Sequence, residues 1–413
     1  MPFISHFIQF FKVKKILFHI LKYINKLLFN DFYKEINQKK FIKILMQENE
    51  SDIKPKKIYY VGFNYDSSYF TVGTDIGFQI YTTNPLNLIV SRQLNGGIGL
   101  VKILEQSNIF CLVGGGKYPR FIPNKLIIWD DNENEIKDEF RCNSFIINCY
   151  IKENCIFIIC SDNISIINIK TMKMIKCINT LNNPKGISSV SDEPKKYMLA
   201  FPDYFKGNII IMNFEELEKS NEQQIKKLEK LENKDIIIKN AHKGNISVIS
   251  FNFSGTKLAS ASDRGTLVRI FDVKENKQIL EFRRGNTEAN IYSLSFSYDN
   301  SLLGLTSDHG SCHIFALNNI KPNEKNEKNK NNGVMSYITS SFPFSGVSKT
   351  ITNAFNQEYS WKKFEIPHKV KSFISFGKDN NNNVFIIDKS GNYLSVNLTK
   401  NPEPTITEKT KLI

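Results

Sequence analysis

Between residues 57 and 399 apolar side chains alternate with polar ones in short runs, and the runs are separated by Gly, Asn, Asp and Ser. A period of two is that of half-buried β-strands. Residues 245–265 align without a gap on residues 290–310: Asn245 matches Asn290, Phe251 matches Phe296, Ser262-Asp263 matches Ser307-Asp308 and Gly265 matches Gly310. Past that glycine the second unit is one residue shorter, so Ile270-Phe271 matches Ile314-Phe315. Each unit is a strand, a turn, a second strand, an Asp-x-Gly turn and a third strand. Four short strands in about 40–45 residues is the period of a β-propeller blade.

The same cadence recurs at Ser68–Gly73 with Phe78–Tyr81, at Asn108–Val113 with Lys125–Asp130, around Ile146, Ile156 and Ile166, at Tyr197–Phe201 with Gly207–Ile211, and at Val384–Ile387 with Tyr393–Val396. The units fall at about 57–92, 96–140, 141–180, 183–240, 241–281, 282–360 and 361–399, which predicts an all-β, seven-bladed, WD40-like propeller. The expected domains are an extension over 1–55, the propeller over 56–400 and a tail over 401–413. Two units are overlong. The fourth carries an acid/base-rich, helix-prone insert over 215–234, and the sixth a long loop over 318–360.

That loop has two parts. Residues 321–332 are Lys/Asn/Glu low complexity, the composition of a disordered linker. Residues 334–355 carry one charge, Lys349, and supply Tyr337, Ile338, Phe342, Phe344, Val347, Ile351 and Phe355. Positions 344, 347, 351 and 355 have helical spacing and make one apolar face. An apolar segment on a polar linker is expected to dock, on the propeller itself, in a membrane or in a partner's groove. The first thirty residues are basic and aromatic-rich, with no acid before Asp31. They predict a helix that lies in a membrane interface, serves as a targeting extension, or packs on the main domain.

Net charge is +14 on a chain of 413 residues with 41% hydrophobic and 23% charged side chains. The balance favours an anionic partner, although Lys and Asn recur throughout and part of the charge is compositional. Nucleic acid is disfavoured, because no groove interleaves aromatic and basic residues. The seven cysteines include no CxxC pair, and Cys142, Cys149, Cys155 and Cys160 lie among Ile and Phe. Buried, reduced thiols are expected, with neither metal nor cofactor. Gly114-Gly115-Gly116-Lys117 is no phosphate loop, since Tyr118-Pro119 follow where Ser or Thr is needed. No nucleophile and base are arranged for catalysis, so an enzyme is not expected.

The chemistry gathers around Glu281-Phe282-Arg283-Arg284-Gly285, at the junction of the two matched units. Adjacent side chains on a strand point to opposite faces, so Arg283 and Arg284 suit two pockets rather than one. On one side stand His242, Ser260, Ser262, Thr266 and Arg269. On the other stand Ser307, His309, Ser311 and His313. Hydroxyls, imidazoles and guanidinium suit a phosphate, and the expected carboxylates nearby are only those of turns. A solvated, charged edge strand is the plain alternative.

Phe282-Arg283-Arg284-Gly285, with Ala241-His242 before it and Gly265-Thr266-Leu267-Val268-Arg269 between, resembles the signature of the PROPPINs, the autophagy-related WIPI-like propellers that bind phosphoinositides. Gly62-Phe63-Asn64, Asn84-Pro85-Leu86, Asn124–Asp130, Asn183-Pro184-Lys185-Gly186 and Leu199-Ala200-Phe201-Pro202 match in order, so the likeness covers about 57–399. It implies one site for phosphatidylinositol 3-phosphate or phosphatidylinositol 3,5-bisphosphate at His242, Ser260, Ser262, Thr266, Arg269 and Arg283. A second is implied at Arg284, Ser307, Ser311 and His313, with Ser311 where the family often has Thr. The sixth-blade loop corresponds to a membrane-inserting loop, and the second blade to a docking surface for an autophagy lipid-transfer protein. The implied protein is a monomer in solution that works from the cytoplasm on autophagosomal precursor, endosomal or vacuolar membranes. A WD40 scaffold that binds only proteins is the alternative.

Overall fold

The computed structural model describes residues 55–104, 107–214, 235–317, 358–366, 369–399 and 404–413. Two compact units are distinguished. One comprises Ile53–Glu105 with Ile109–Ile413; the other, Met1–Asp52 with residues 106–108, lies almost wholly outside the described residues. So do the predicted N-terminal helix and the insert over 215–234. The described residues of the larger unit are all-β and form seven sheets in chain order, built of antiparallel strands over 58–93, 98–141, 146–179, 189–238, 246–283, 291–365 and 372–411. We number them blades 1 to 7.

Alternation builds each blade, and apolar residues on both faces of the inner strands join neighbouring blades. Cys155-Ile156-Phe157-Ile158-Ile159-Cys160 is buried along its whole length. Phe157 and Ile159 pack with Leu199 and Phe201 of blade 4, while Ile156 and Ile158 face Cys111 and Leu126 of blade 2. The ring closes without exchanging a strand. Phe70 of blade 1 stacks with Tyr81 of the same blade and with Tyr393 of blade 7, at ring-centroid distances of 5.2 and 5.6 Å. Tyr393 donates to the Thr83 carbonyl at 2.5 Å, and Ser67 bonds Ser375.

Two boundaries differ from the sequence reading. Lys362–Glu365 pairs with Ser311–Ile314 and is the outer strand of blade 6, not the start of blade 7. The long loop therefore interrupts blade 6 between its third and fourth strands. Thr405–Lys411, expected as a tail, is the outer strand of blade 7. Its sequence, Thr-Ile-Thr-Glu-Lys-Thr-Lys, is mostly exposed, so it lacks the apolar run that marks an inner strand. Glu358–Tyr359 adds a short parallel strand beside Phe282 and Arg283 of blade 5.

All seven cysteines are free thiols; six are buried and Cys177 is exposed. Burial pushes the thiols of Cys155 and Cys312 up, away from the reactive thiolate. Titration with a disulfide reagent is expected to label one thiol in the native protein and all seven after denaturation. Rapid native labelling of three or more would refute this packing.

Candidate functional site

Phe282 sets the geometry of the arginine pair. Its ring is 1% exposed, lies 4.9 Å from the Phe315 ring of blade 6, and belongs to the core between blades 5 and 6. The blade 5 outer strand, Lys277–Arg283, is thereby anchored with Arg283 at its end, paired with Leu267. The next residue keeps the ladder, with Arg284 N–H donating to Thr266 O at 2.9 Å. Gly265 permits the tight turn behind it: φ is +59° and a Cβ would lie 1.9 Å from Ala289 O.

The two side chains part company. Arg283 lines an open cavity of about 830 Å³, together with His242, Ser262, Thr266 and Arg269. Arg284 is buried at 7% exposure; its Nε donates to Gly265 O at 2.7 Å and its Nη2 to Thr287 O. Five of the six residues expected for the first site thus share one cavity. Ser260 does not line it. It is fully buried, and its hydroxyl holds His242 Nε2 from behind at 3.0 Å.

The cavity also contains residues that the sequence reading omitted: Lys243, Arg264, Gln278, Asn286 and Glu281. Asn286 Oδ1 accepts from Arg283 Nη1 at 3.4 Å. Glu281 corrects the expectation that only turn carboxylates stand nearby. Its Oε2 accepts from Arg269 Nε at 2.8 Å, while Arg269 Nη1 donates to Ala241 O at 2.7 Å. Glu281 is two residues from Arg283 on one strand and therefore on the same face, a signal that was available in the sequence. An anion entering the cavity competes with Glu281 for Arg269.

On the blade 6 side, Ser307 Oγ lies 3.4 Å from Ser311 Oγ, and Ser311 Oγ lies 3.1 Å from His313 Nε2. All three are buried. His313 Nδ1 reaches Ser360 Oγ at 3.3 Å, so the chain returning from the long loop completes this line. Only the fold brings Ser360 there; nothing in its local sequence marks it. Burial, then neighbouring Arg269, lowers His242 to a pKa of about 4. Burial, then Lys363 and Arg284, does the same for His313. Both imidazoles are neutral at pH 7, each able to donate one hydrogen bond and accept another. Tyr337, Ile338, Phe342, Phe344, Val347, Ile351 and Phe355, expected to enter a membrane, lie outside the described residues. Among the described residues no group of His, Cys, Asp and Glu could hold a metal.

The PROPPIN family model matches residues 58–351. The chain belongs to the PROPPIN family. It is 33% identical over 260 residues to SVP1-like protein 2 of Schizosaccharomyces pombe, covering 62% of this chain and 67% of that one. It is 28% identical over 342 residues to autophagy-related protein 18e of Arabidopsis thaliana, covering 81% of each. Its fold is that of Kluyveromyces lactis Hsv2, with a TM-score of 0.67 at 20% identity, covering 86% of this chain and 99% of that one. It is similar as well to Atg21 solved in complex with the coiled-coil of Atg16, with a TM-score of 0.63 at 21% identity, covering 87% of this chain and all of that one. PROPPINs are non-enzymatic, phosphoinositide-binding propellers of autophagy, and this chain is one of them. Among the described residues no helix is long and apolar enough to cross a membrane.

Proposed function

We propose that this PROPPIN reads phosphatidylinositol 3-phosphate and phosphatidylinositol 3,5-bisphosphate on membranes through two rim sites, one on each side of the arginine pair. The observation that carries the reading is the parting of the two arginines. Arg283 shares a cavity with His242, Ser262, Thr266 and Arg269, and Arg284 turns away beside the Ser307, Ser311, His313 line. In the first site the arginines supply charge and the hydroxyls and neutral His242 supply single hydrogen bonds. In the second, Ser311 and His313 orient one another, and Arg284 contributes charge from a fixed position.

Each site alone binds weakly. Two headgroups held by one rigid rim reinforce one another through effective concentration, and an apolar loop over 334–355 adds burial in the bilayer. Once on the membrane, the other blades recruit partners, with an autophagy lipid-transfer protein at blade 2. Tyr118 and Ile122 in blade 2 and Phe145 ahead of blade 3 are 73%, 54% and 68% exposed, which supports a protein-docking surface there. The chain acts as a monomer in solution and as a peripheral protein on autophagosomal precursor, endosomal or vacuolar membranes.

Flotation with vesicles across a phosphoinositide series tests the reading. The full chain is expected to float with vesicles containing phosphatidylinositol 3-phosphate and not with phosphatidylcholine alone. Removal of 334–355 is expected to lower that binding about tenfold, the scale of a few buried apolar side chains. Equal flotation on all vesicles, or none on any, would discard the two-site reading in favour of a protein-binding scaffold.

A further inference from the structure

Blade 4 turns between its second and third strands, Met198–Pro202 and Ile209–Asn213, through Asp203-Tyr204-Phe205-Lys206-Gly207-Asn208. At the tip of this turn Tyr204 is 56% exposed and Phe205 74% exposed, an apolar pair that no other described residue covers. The turn is tied by its own hydrogen bonds. Asp203 is buried, its Oδ1 accepting from Tyr204 N–H at 2.7 Å and its Oδ2 from Asn208 Nδ2 at 3.1 Å. Asn208 N–H donates to Phe205 O at 3.1 Å.

The turn abuts the wall of the Arg283 cavity. His242 N–H donates to Gly207 O at 3.1 Å, and Asn240 N–H to Asn208 Oδ1 at 2.8 Å. Gly207 has φ +78°, and a Cβ there would lie 1.8 Å from His242 O, so only glycine lets the turn come this close. Phe205 is two residues from that contact, hence within about 7 Å of it by chain length. Lys206, Lys243 and Arg264 are exposed around the same edge.

We propose that Tyr204 and Phe205 form a second, preordered membrane anchor that enters the bilayer interface when the adjacent cavity holds a lipid headgroup. This rests on the phosphoinositide reading of the cavity and adds to it a contact independent of the long loop. A protein partner fits the tip less well: two residues fall far short of the roughly 800 Å² that each side of a stable protein interface buries. A bilayer interface needs only one or two aromatics flanked by cations, because amphipathic rings sit at headgroup depth and lysines meet anionic lipid. The only acid within the turn, Asp203, is buried and bonded internally, so the exposed tip itself presents no carboxylate.

Two measurements on the full chain test the proposal, with vesicles of phosphatidylcholine containing phosphatidylinositol 3-phosphate. In Phe205→Trp, brominated acyl chains are expected to quench fluorescence beyond the signal of Trp129 and Trp361 in the unsubstituted protein. Tyr204→Ser with Phe205→Ser is expected to lower vesicle partition about tenfold, at about 0.15 M salt where charge is screened. The same variant is expected to bind soluble inositol 1,3-bisphosphate as the unsubstituted chain does, because the cavity is untouched. Flotation of Phe205→Trp without added quenching, or unchanged partition of the serine variant, overturns the anchor alone. Loss of soluble headgroup binding in the serine variant overturns it too, since the effect then arises in the cavity. Failure of the unsubstituted chain to float overturns both this inference and the reading beneath it.

Discussion

Arg283→Thr is expected to weaken binding to vesicles containing phosphatidylinositol 3-phosphate by about tenfold to a hundredfold, the scale of one or two lost charge-assisted hydrogen bonds to phosphate. Its unfolding midpoint is expected to stay where it was. The side chain is half-buried at the cavity wall and donates at 3.4 Å to Asn286, an exposed residue. Arg284→Thr behaves differently. The guanidinium is buried and donates to two backbone carbonyls, Gly265 O and Thr287 O. Removing it leaves the buried Gly265 carbonyl unpaired, a destabilisation of about 1–3 kcal/mol.

A double substitution of both arginines, treated as a pair of strand residues, would therefore confuse lost binding with lost stability. Urea midpoints and flotation on the two single variants separate these effects. Full vesicle binding by the double variant would sink the two-site proposal. An unchanged midpoint for Arg284→Thr would refute the structural role of its backbone bonds.

Acidification should destabilise the propeller through two histidines. His242 and His313 have folded pKa values of about 4, against an ordinary value near 6.5. Below pH 6.5 the unfolded chain takes up protons that the folded chain refuses. The favourable contribution is therefore complete above about pH 6.5 and is lost as pH falls towards 4. By pH 4.5 the loss is about 2–3 kcal/mol for each histidine.

Burial sets this sign for both rings. Around His242, Arg269 adds to it, while the Ser260 bond, Glu281 and Asp263 work against it. Lys363, Arg284 and His309 all oppose protonation of His313. Urea unfolding at pH 7.5 and 4.5 checks the expectation, with His242→Gln and His313→Gln as the comparison. Equal pH dependence with and without the two imidazoles would remove them as its source. A phosphate beside His242 would instead favour the protonated ring, so vesicle binding is expected to strengthen on mild acidification before the fold is lost.

Much of the site could be read directly from the chain because its determinants are local. Strand alternation put Arg283 and Arg284 on opposite faces, and the match of 245–265 to 290–310 set a histidine and hydroxyl group on each side. The structure does separate the side chains, one into a cavity and one into backbone hydrogen bonds. Ser260 could not be placed from sequence: its strand position is the same whether its hydroxyl meets solvent or the back of His242, and only packing distinguishes them.

By itself, then, the sequence determined the all-β class, the count of seven blades and the junction at which the chemistry lies. Each follows from a period of two within strands, glycine-bearing turns between them and a repeat near 45 residues, all properties of neighbouring positions. The tertiary structure decided the rest, since it depends on which distant segments meet. It made Lys362–Glu365 the edge of blade 6 and Thr405–Lys411 the edge of blade 7, because an outer strand is chosen by the free edge it can pair with. It brought Ser360 to His313 and Glu281 to Arg269. It also pressed the blade 4 turn against His242, leaving Tyr204 and Phe205 exposed beside the cavity that holds Arg283.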